Sequence, residues 1–499
     1  MSERLAEQLE LLPDYLGRHV LLTLMALGLG VAISLPLAVL CSRSRSFAGP
    51  VLAVASVVQT IPGLALLALM VPLLGGRVGA MPALIALVLY SVLPILRNAV
   101  TGLREVDAAL IEAGRGIGMT ESQILWRVRF PLALPVIIAG VRTATVWVVG
   151  LATLSTPVGA TSLGNYIFSG LQTQNHTAVL VGCVAAAALA LALDGLIRLL
   201  ELGAARRSLG LGALAGAGLL VVLGGGLLPL VREAIRADDR PVVRIGAKTF
   251  TEQYVLARLI ANRLEQAGFR TESLESLGST VVFNALASGE IDCYVDYTGT
   301  IWANHMHRDD NPGAEAVLGE VTEWLRAEHG ISCLGPLGFE NAYALAMRRD
   351  HAGSLGVKTI ADLRRHAPSL SIGGDYEFFS RPEWYAVRDA YGLAFGEQRS
   401  FDSTLMYSAI RDEAVDVISA FSTDGRIAAF DLVVLEDPKE SLPPYDAVLL
   451  LSRATAEDVA DALQPLVGAI DDDAMRRANM LVDVDGGTIE SAAATLRSP

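Results

Sequence analysis

Long apolar runs dominate the first half of the chain, and short alternating ones the second. A bilayer crossing takes about 20 helical residues. Six stretches approach that length, near 18–41, 50–74, 81–96, 132–154, 177–197 and 209–230. The third is short and is expected to extend into its polar flanks. Pro36, Pro62 and Pro94 fall inside these spans, where packing against neighbouring helices can tolerate them. Residues 1–17 are acidic and carry Leu5, Leu9, Leu11 and Leu12. They read as an interfacial helix rather than a cleavable signal peptide.

Beyond about residue 241 the period changes. Val242–Gly246 is a β-branched run. Thr251 offers a helix cap, and Tyr254, Leu256, Leu259, Ile260 and Leu264 form an apolar face ending at Gly268. Thr280–Ser288 predicts a second helix closed by Gly289, and Ile291–Val295 a strand. Such alternation predicts α/β units with parallel strands. Ligands then bind beyond the C-terminal strand ends, here the loops Gly246–Gln253 and Asp296–Thr300. The expected organisation is a membrane domain over 18–230, a charged linker over 231–241, and two lobes facing a cleft. Lobe one takes about 242–340 and 442–499, and lobe two about 341–441. The crossings near Glu340-Asn341 and Pro438–Pro444 would serve as hinges for closure.

Charge separates the halves further. Residues 1–240 carry a net +4 and residues 241–499 a net −18. A basic apolar half and an acidic half suit a membrane domain joined to a solvated one, and the acidity argues against nucleic-acid binding. The loops 42–49, 97–130 and 198–208 hold Arg43, Arg45, Arg97, Arg104, Arg115, Arg127, Arg129, Arg198, Arg206 and Arg207, whereas 75–80 and 155–176 hold only Arg77. Positive loops stay in the cytoplasm. The N-terminus is therefore expected outside, and after six spans residues 241–499 are too, on a multi-pass inner-membrane protein. Cys41 and Cys183 lie in spans. Cys293 and Cys333 read as buried free thiols, with a bridge between them as the alternative.

The loop near 105–130 reads Glu112-Ala113-Gly114-Arg115-Gly116-Ile117-Gly118, followed by Phe130, Pro131 and Pro135. It resembles the EAA-type cytoplasmic loop of binding-protein-dependent ABC permeases. The resemblance implies an all-α, MetI-like membrane domain of about six helices. It also implies a coupling helix that docks on an ATPase, through Glu112, Ala113 and the turn at Gly118. The chain has no GxxxxGK[ST] phosphate loop. ATP hydrolysis is thus expected in a separate ATPase subunit, and because such transporters need two membrane domains and this chain has one, the resemblance implies a homodimer of this chain. Gln59–Gly63 and Tyr90–Asn98 resemble the osmoprotectant branch of those permeases.

In the acidic half, Lys248-Thr249-Phe250-Thr251-Glu252-Gln253, Gly289–Asp292, Tyr297-Thr298-Gly299-Thr300, Asn341–Leu345, Ser422–Ile427 and Pro443-Pro444-Tyr445 occur in the order of the glycine betaine/carnitine/choline-binding proteins, which they resemble. That likeness implies a two-lobed, periplasmic-binding-protein-like (type II) α/β domain. A quaternary ammonium has no N–H to donate, so aromatic faces must hold it, at roughly 0.5–2 kcal/mol per ring. The matching ring positions are Tyr297, Tyr343, Phe421 and Tyr445. Lys248, Thr300 and Arg381 match those that hold a carboxylate, and Asn341 lies in the same set; an arginine fork suits that group. Trp384 either walls the cage or packs. Two departures stand out. Asp296 precedes Tyr297 where relatives often have Glu, and Phe421 replaces a common Tyr, which leaves the cage less polar.

These residues predict an ABC importer permease fused to its own binding domain, for glycine betaine, choline or carnitine. Ergothioneine, a histidine betaine, is the alternative cargo. No cofactor, metal constellation or catalytic pair is expected. Readings from other classes are a membrane solute sensor, disfavoured by the lack of an output domain, and a membrane-anchored enzyme.

Overall fold

The computed structural model describes residues 2–173, 175–235, 240–308 and 310–496. Contacts divide the chain into two units, Met1–Phe168 with His176–Asp238, and Ser169–Asn175 with Asp239–Pro499.

The first unit is all helical. Ser2–Arg43, Ala80–Arg104, Phe130–Thr153, His176–Arg206 and Leu209–Ile235 are its long helices. Among the described residues, five helices are long and apolar enough to span a membrane, or six if one bent pair counts as a span. The first runs unbroken through residue 17, so the segment 1–17 is not a separate element. The short third run does extend into its flanks, through Arg104. The predicted span 50–74 is not one helix. It breaks into Arg45–Thr60 and Gly63–Leu73, bent by 100°. Pro62 pushes the residue before it out of the helical region, and Ile61 sits at φ −71°, ψ 127°. The freed Ile61 carbonyl accepts from the Tyr90 hydroxyl.

Pro94 stays inside its helix. Its missing N–H orphans the Tyr90 carbonyl, and Gln59 Nε2 donates to that oxygen at 3.3 Å. Small residues let the helices approach closely. A Cβ on Gly140 would lie 2.7 Å from Asn98 and 2.9 Å from the Pro94 carbonyl. Between Phe130–Thr153 and His176–Arg206, Arg142 makes a two-pronged pair with Asp194, at 2.6 and 3.1 Å. Glu201 stands 3.6 Å from the same guanidinium. The linker expected over 231–241 begins as helix to Ile235, and 236–239 lie outside the described residues.

The described residues of the second unit form ten strands. They are β1 (Val242–Lys248), β2 (Arg270–Leu277), β3 (Cys293–Tyr297), β4 (Ser332–Glu340), β5 (Tyr343–Arg348), β6 (Ser371–Asp375), β7 (Glu397–Phe401), β8 (Val417–Phe421), β9 (Leu432–Val434) and β10 (Asp446–Leu451). They form two five-stranded sheets, ordered β2-β1-β3-β10-β4 and β7-β6-β8-β5-β9. The sheets are mixed rather than parallel throughout. β1 pairs in parallel with β2 and β3, and β6 with β7 and β8. β10 runs antiparallel to β3 and β4, and β5 antiparallel to β8 and β9. β10 returns to the first sheet after the whole second sheet. Its Ala447–Leu451 are all buried, as a central strand covered on both faces requires.

Local details differ by a residue or two from the sequence pattern. The helix Thr251–Gln266 is N-capped by Phe250, not Thr251, because the Thr251 hydroxyl donates instead to Asp483, at 2.6 Å. Gly268 at φ +93° ends that segment where predicted. The third strand begins two residues late, at Cys293. Gly289 caps Ser279–Ser288 in the left-handed region that glycine adopts freely, and the chain needs the next residues to turn. All four cysteines are free.

Candidate functional site

Four parallel strands end at one cavity of about 150 Å³. Lys248 is the last residue of β1, Tyr297 of β3, Asp375 of β6 and Phe421 of β8, and all four line it. The antiparallel strands present their beginnings on that side: Tyr343 opens β5, and Tyr445 immediately precedes β10. Register puts Tyr343 directly opposite Phe421. Thr300, Asn341 and Arg381 complete the eight predicted positions, and every one lines the cavity.

Five rings form a continuous wall. Phe250 stacks on Tyr297 and on Phe421, with centroids 6.1 Å apart in each case. Tyr343 lies 5.0 Å from Phe421 and 5.8 Å from Tyr445. Phe250 joins the two sheets' rings, yet sequence reasoning passed it over inside the quoted Thr249-Phe250-Thr251. Gly299 makes room for the last ring, since a Cβ there would meet Tyr445 ring atoms at 2.8 Å. Trp384 packs on Phe378 and Phe379 and does not line the cavity.

The two cations differ. Lys248 is buried and ion-paired with Asp296, which also accepts from the Tyr294 hydroxyl at 2.5 Å. Its Nζ lies 5.2 Å from the Tyr297 ring centre. Lys248 thus has its charge matched within the protein. Arg381 is 7% exposed and donates from Nη1 to the Tyr343 hydroxyl at 2.8 Å. Its Nε stands 3.4 Å from Glu383, and Nη2 has no hydrogen-bond partner among the described residues. Burial opposes its charge, but the carboxylates of Glu383 and Glu377 beside it outweigh that, so the guanidinium stays ionised. The arrangement can therefore face an anion with a fork and a cation with ring faces.

Three tyrosine hydroxyls are each tied to a carboxylate. Tyr297 donates to Glu252 at 2.5 Å, Tyr343 to Asp375 at 3.0 Å, and Tyr445 to Glu383. Burial and these anions push all three phenols well above their ordinary range, so they remain neutral donors. Asn341 fastens the crossing between β4 and β5: its N–H donates to the Tyr445 carbonyl at 3.0 Å, and its Nδ2 to Glu252 at 3.0 Å.

In the first unit, the loop expected to meet an ATPase contains a helix over Ala108–Gly116, N-capped by Asp107. Glu112 and Ala113 sit on it. Gly118 at φ +83° ends it, and Thr120 starts the next helix through a reciprocal capping box with Gln123. Leu110 and Ile117 are exposed.

Residues 241–496 match the family described as the substrate binding domain of ABC-type glycine betaine transport systems. Residues 30–206 match the inner membrane component of binding-protein-dependent transport systems. An ergothioneine transport permease/ergothioneine binding protein of Helicobacter pylori is 31% identical over 461 residues, covering 89% of this chain and 81% of that protein. A choline transport system permease of Bacillus subtilis is 44% identical over 183 residues, or 37% of this chain and 83% of that one. A glycine-betaine-binding protein of Pseudomonas aeruginosa is 32% identical over 267 residues, or 50% and 86%.

Proposed function

The chain belongs to the family of substrate-binding domains of ABC-type glycine betaine transport systems, here fused to a binding-protein-dependent permease, and from that membership we propose that it imports a trimethylammonium compound bearing a carboxylate. Glycine betaine, carnitine and ergothioneine all have both groups, whereas choline has only the first. The observation carrying this reading is the wall of five rings beside an ionised arginine whose Nη2 has no hydrogen-bond partner among the described residues. The rings Phe250, Tyr297, Phe421, Tyr343 and Tyr445 take the cation, and Arg381 takes the carboxylate. Thr300 and Asn341 line the same space, and Lys248, paired with Asp296, holds the floor of the cage against Tyr297.

In this reading the binding unit works outside the cell. The arginine-rich loops of the permease face the cytoplasm. Two copies of the chain form the membrane path, and a separate ATPase docks on Ala108–Gly116, where Glu112, the exposed Leu110 and Ile117 and the turn at Gly118 offer a helix face. Covalent attachment keeps the receptor at high local concentration. Ergothioneine is the cargo favoured by the fused relative, which covers most of the chain. Glycine betaine is favoured by the matched binding family.

Titrating the purified full chain with glycine betaine, choline, carnitine and ergothioneine tests the reading. At least one is expected to bind, and Tyr297→Ala and Tyr445→Ala each to weaken it at least tenfold. No binding of any of the four, or full affinity in both variants, overturns it.

A further inference from the structure

Glu252 does not line the cavity, yet its carboxylate is fully buried beside it. Four donors satisfy it. Oε1 accepts from the Tyr297 hydroxyl at 2.5 Å and from Asn341 Nδ2 at 3.0 Å. Oε2 accepts from the Thr423 hydroxyl at 2.6 Å and from Asn479 Nδ2 at 3.0 Å. These donors come from four places. Tyr297 ends β3 of the first sheet, Asn341 lies on the crossing between sheets, Thr423 follows β8 of the second sheet, and Asn479 lies on the helix Asp472–Asp483.

A single carboxylate thus ties a cage ring to both sheets. A buried anion is tolerated only when its lone pairs are filled, and all four are filled solely while the loop after β8 lies against helix Asp472–Asp483. The same seam makes further contacts. Asn479 Nδ2 also donates to the Thr423 carbonyl at 3.1 Å, and Arg426 reaches Asp483 at 4.0 Å. A Cβ on Gly425 would meet the Met480 backbone at 2.6 Å. If the sheets part here, Glu252 loses Thr423 and must take water or a proton, and the Tyr297 ring loses its fixed acceptor geometry.

We propose that Glu252 is a positioning residue that latches the two sheets, coupling the seating of a ligand on Tyr297 to closure of the cleft. It acts through Tyr297 and Asn341 and touches no ligand. The coupling to ligand rests on the reading that Tyr297 belongs to the binding cage; the latch itself does not.

The test measures the distance between the sheets in the full chain, with probes at Glu272→Cys on β2 and Gln398→Cys on β7. Cys183→Ala and Cys333→Ala remove competing thiols. Glu252→Gln presents an amide to donors already facing it, so the distance distribution should shift to longer values without ligand. For any of the four amines that binds, dissociation should quicken at least tenfold. Thr423→Val removes one donor from the opposite sheet and leaves the cavity intact. It should shift the distance the same way by less, and the double variant should add little to Glu252→Gln. If Glu252→Gln fails to fold, Thr423→Val alone decides. An unchanged distance in the variants, or strictly additive effects, overturns the latch. Lost affinity with an unaltered distance makes Glu252 a packing residue only and overturns it too. Should the unmodified protein bind none of the amines, the cargo reading falls, and the ligand-free distances still decide the latch.

Discussion

At the scale of single residues, the phenols of Tyr297, Tyr343 and Tyr445 give their hydrogens to Glu252, Asp375 and Glu383. A phenol donating to an anion has a more electron-rich ring, which deepens the negative face that attracts a cation. Phe421 lacks the hydroxyl and contributes only its face, as does Phe250. Phe250→Ala should therefore weaken any quaternary amine by about 1–2 kcal/mol, since it also unstacks Tyr297 and Phe421. Arg381→Lys keeps the charge and loses the fork. It is expected to weaken glycine betaine and ergothioneine about tenfold, or about 1.4 kcal/mol, and to leave choline nearly unchanged. Calorimetry with the three ligands checks both variants, and equal loss for choline would remove Arg381 from the carboxylate role.

Asp483 supplies a pH dependence. Burial lifts its carboxyl from the ordinary 3.8 to about 7; Arg426 pulls it back, while Asp424 and Glu252 push it further up and the Thr251 hydroxyl lowers it. The unfolded chain ionises near 3.8, and the folded one only near 7. Stability linked to this group is thus greatest at low pH, declines as pH rises through that window, and is level above it. Asp483→Asn still accepts from Thr251 and removes the titration. Its melting temperature relative to the unmodified protein should rise between pH 4 and pH 7, and a constant difference would refute the assignment.

Most of the cavity-lining positions are legible in the sequence because they flank short signatures at strand ends. Tyr297, Thr300, Asn341, Tyr343 and Tyr445 sit within the quoted segments, and the fold brings them to one cavity. Phe250 was in plain view but reads as a core residue between two threonines. Glu252 and Asn479 are 227 residues apart, and no spacing rule joins them. The pairing of Lys248 with Asp296 was equally hidden, since neither period nor neighbours announce a contact across two strands.

At the scale of elements, hydropathy located the membrane helices but not their shapes. The break at Ile61-Pro62 needs backbone reasoning, because a window average sees only an unbroken apolar run. Arg142 vanished into the same kind of average. It stands in the middle of Phe130–Thr153, paired with Asp194 on His176–Arg206. Ionised groups inside a bilayer are costly unless paired and usually face protein or a polar path. Removing Arg142 strands Asp194 and Glu201, whereas removing Asp194 with it leaves only Glu201 without its cation. Arg142→Met is accordingly expected to lower the yield of folded membrane protein several-fold, and Arg142→Met with Asp194→Leu to restore part of it. Size-exclusion profiles in detergent read this directly. If the double variant is no better than the single, the pair does not act as a unit.

At the scale of the molecule, the change of period near residue 241 and the shift from +4 to −18 make the two-part plan readable in the sequence alone. What pattern could not supply was strand direction. β5 and β10 run against their neighbours, and alternation of strands with helices looks the same either way. The second sheet is built from one uninterrupted stretch, Tyr343 to Val434. The first is not. The place between β3 and β4 belongs to β10, the last strand to leave the ribosome. While residues 343–445 are being made, β3 and β4 have open, unpaired edges, and contacts so distant in sequence form slowly. In a nascent chain of this protein every strand of the second sheet is therefore made before the first sheet can close.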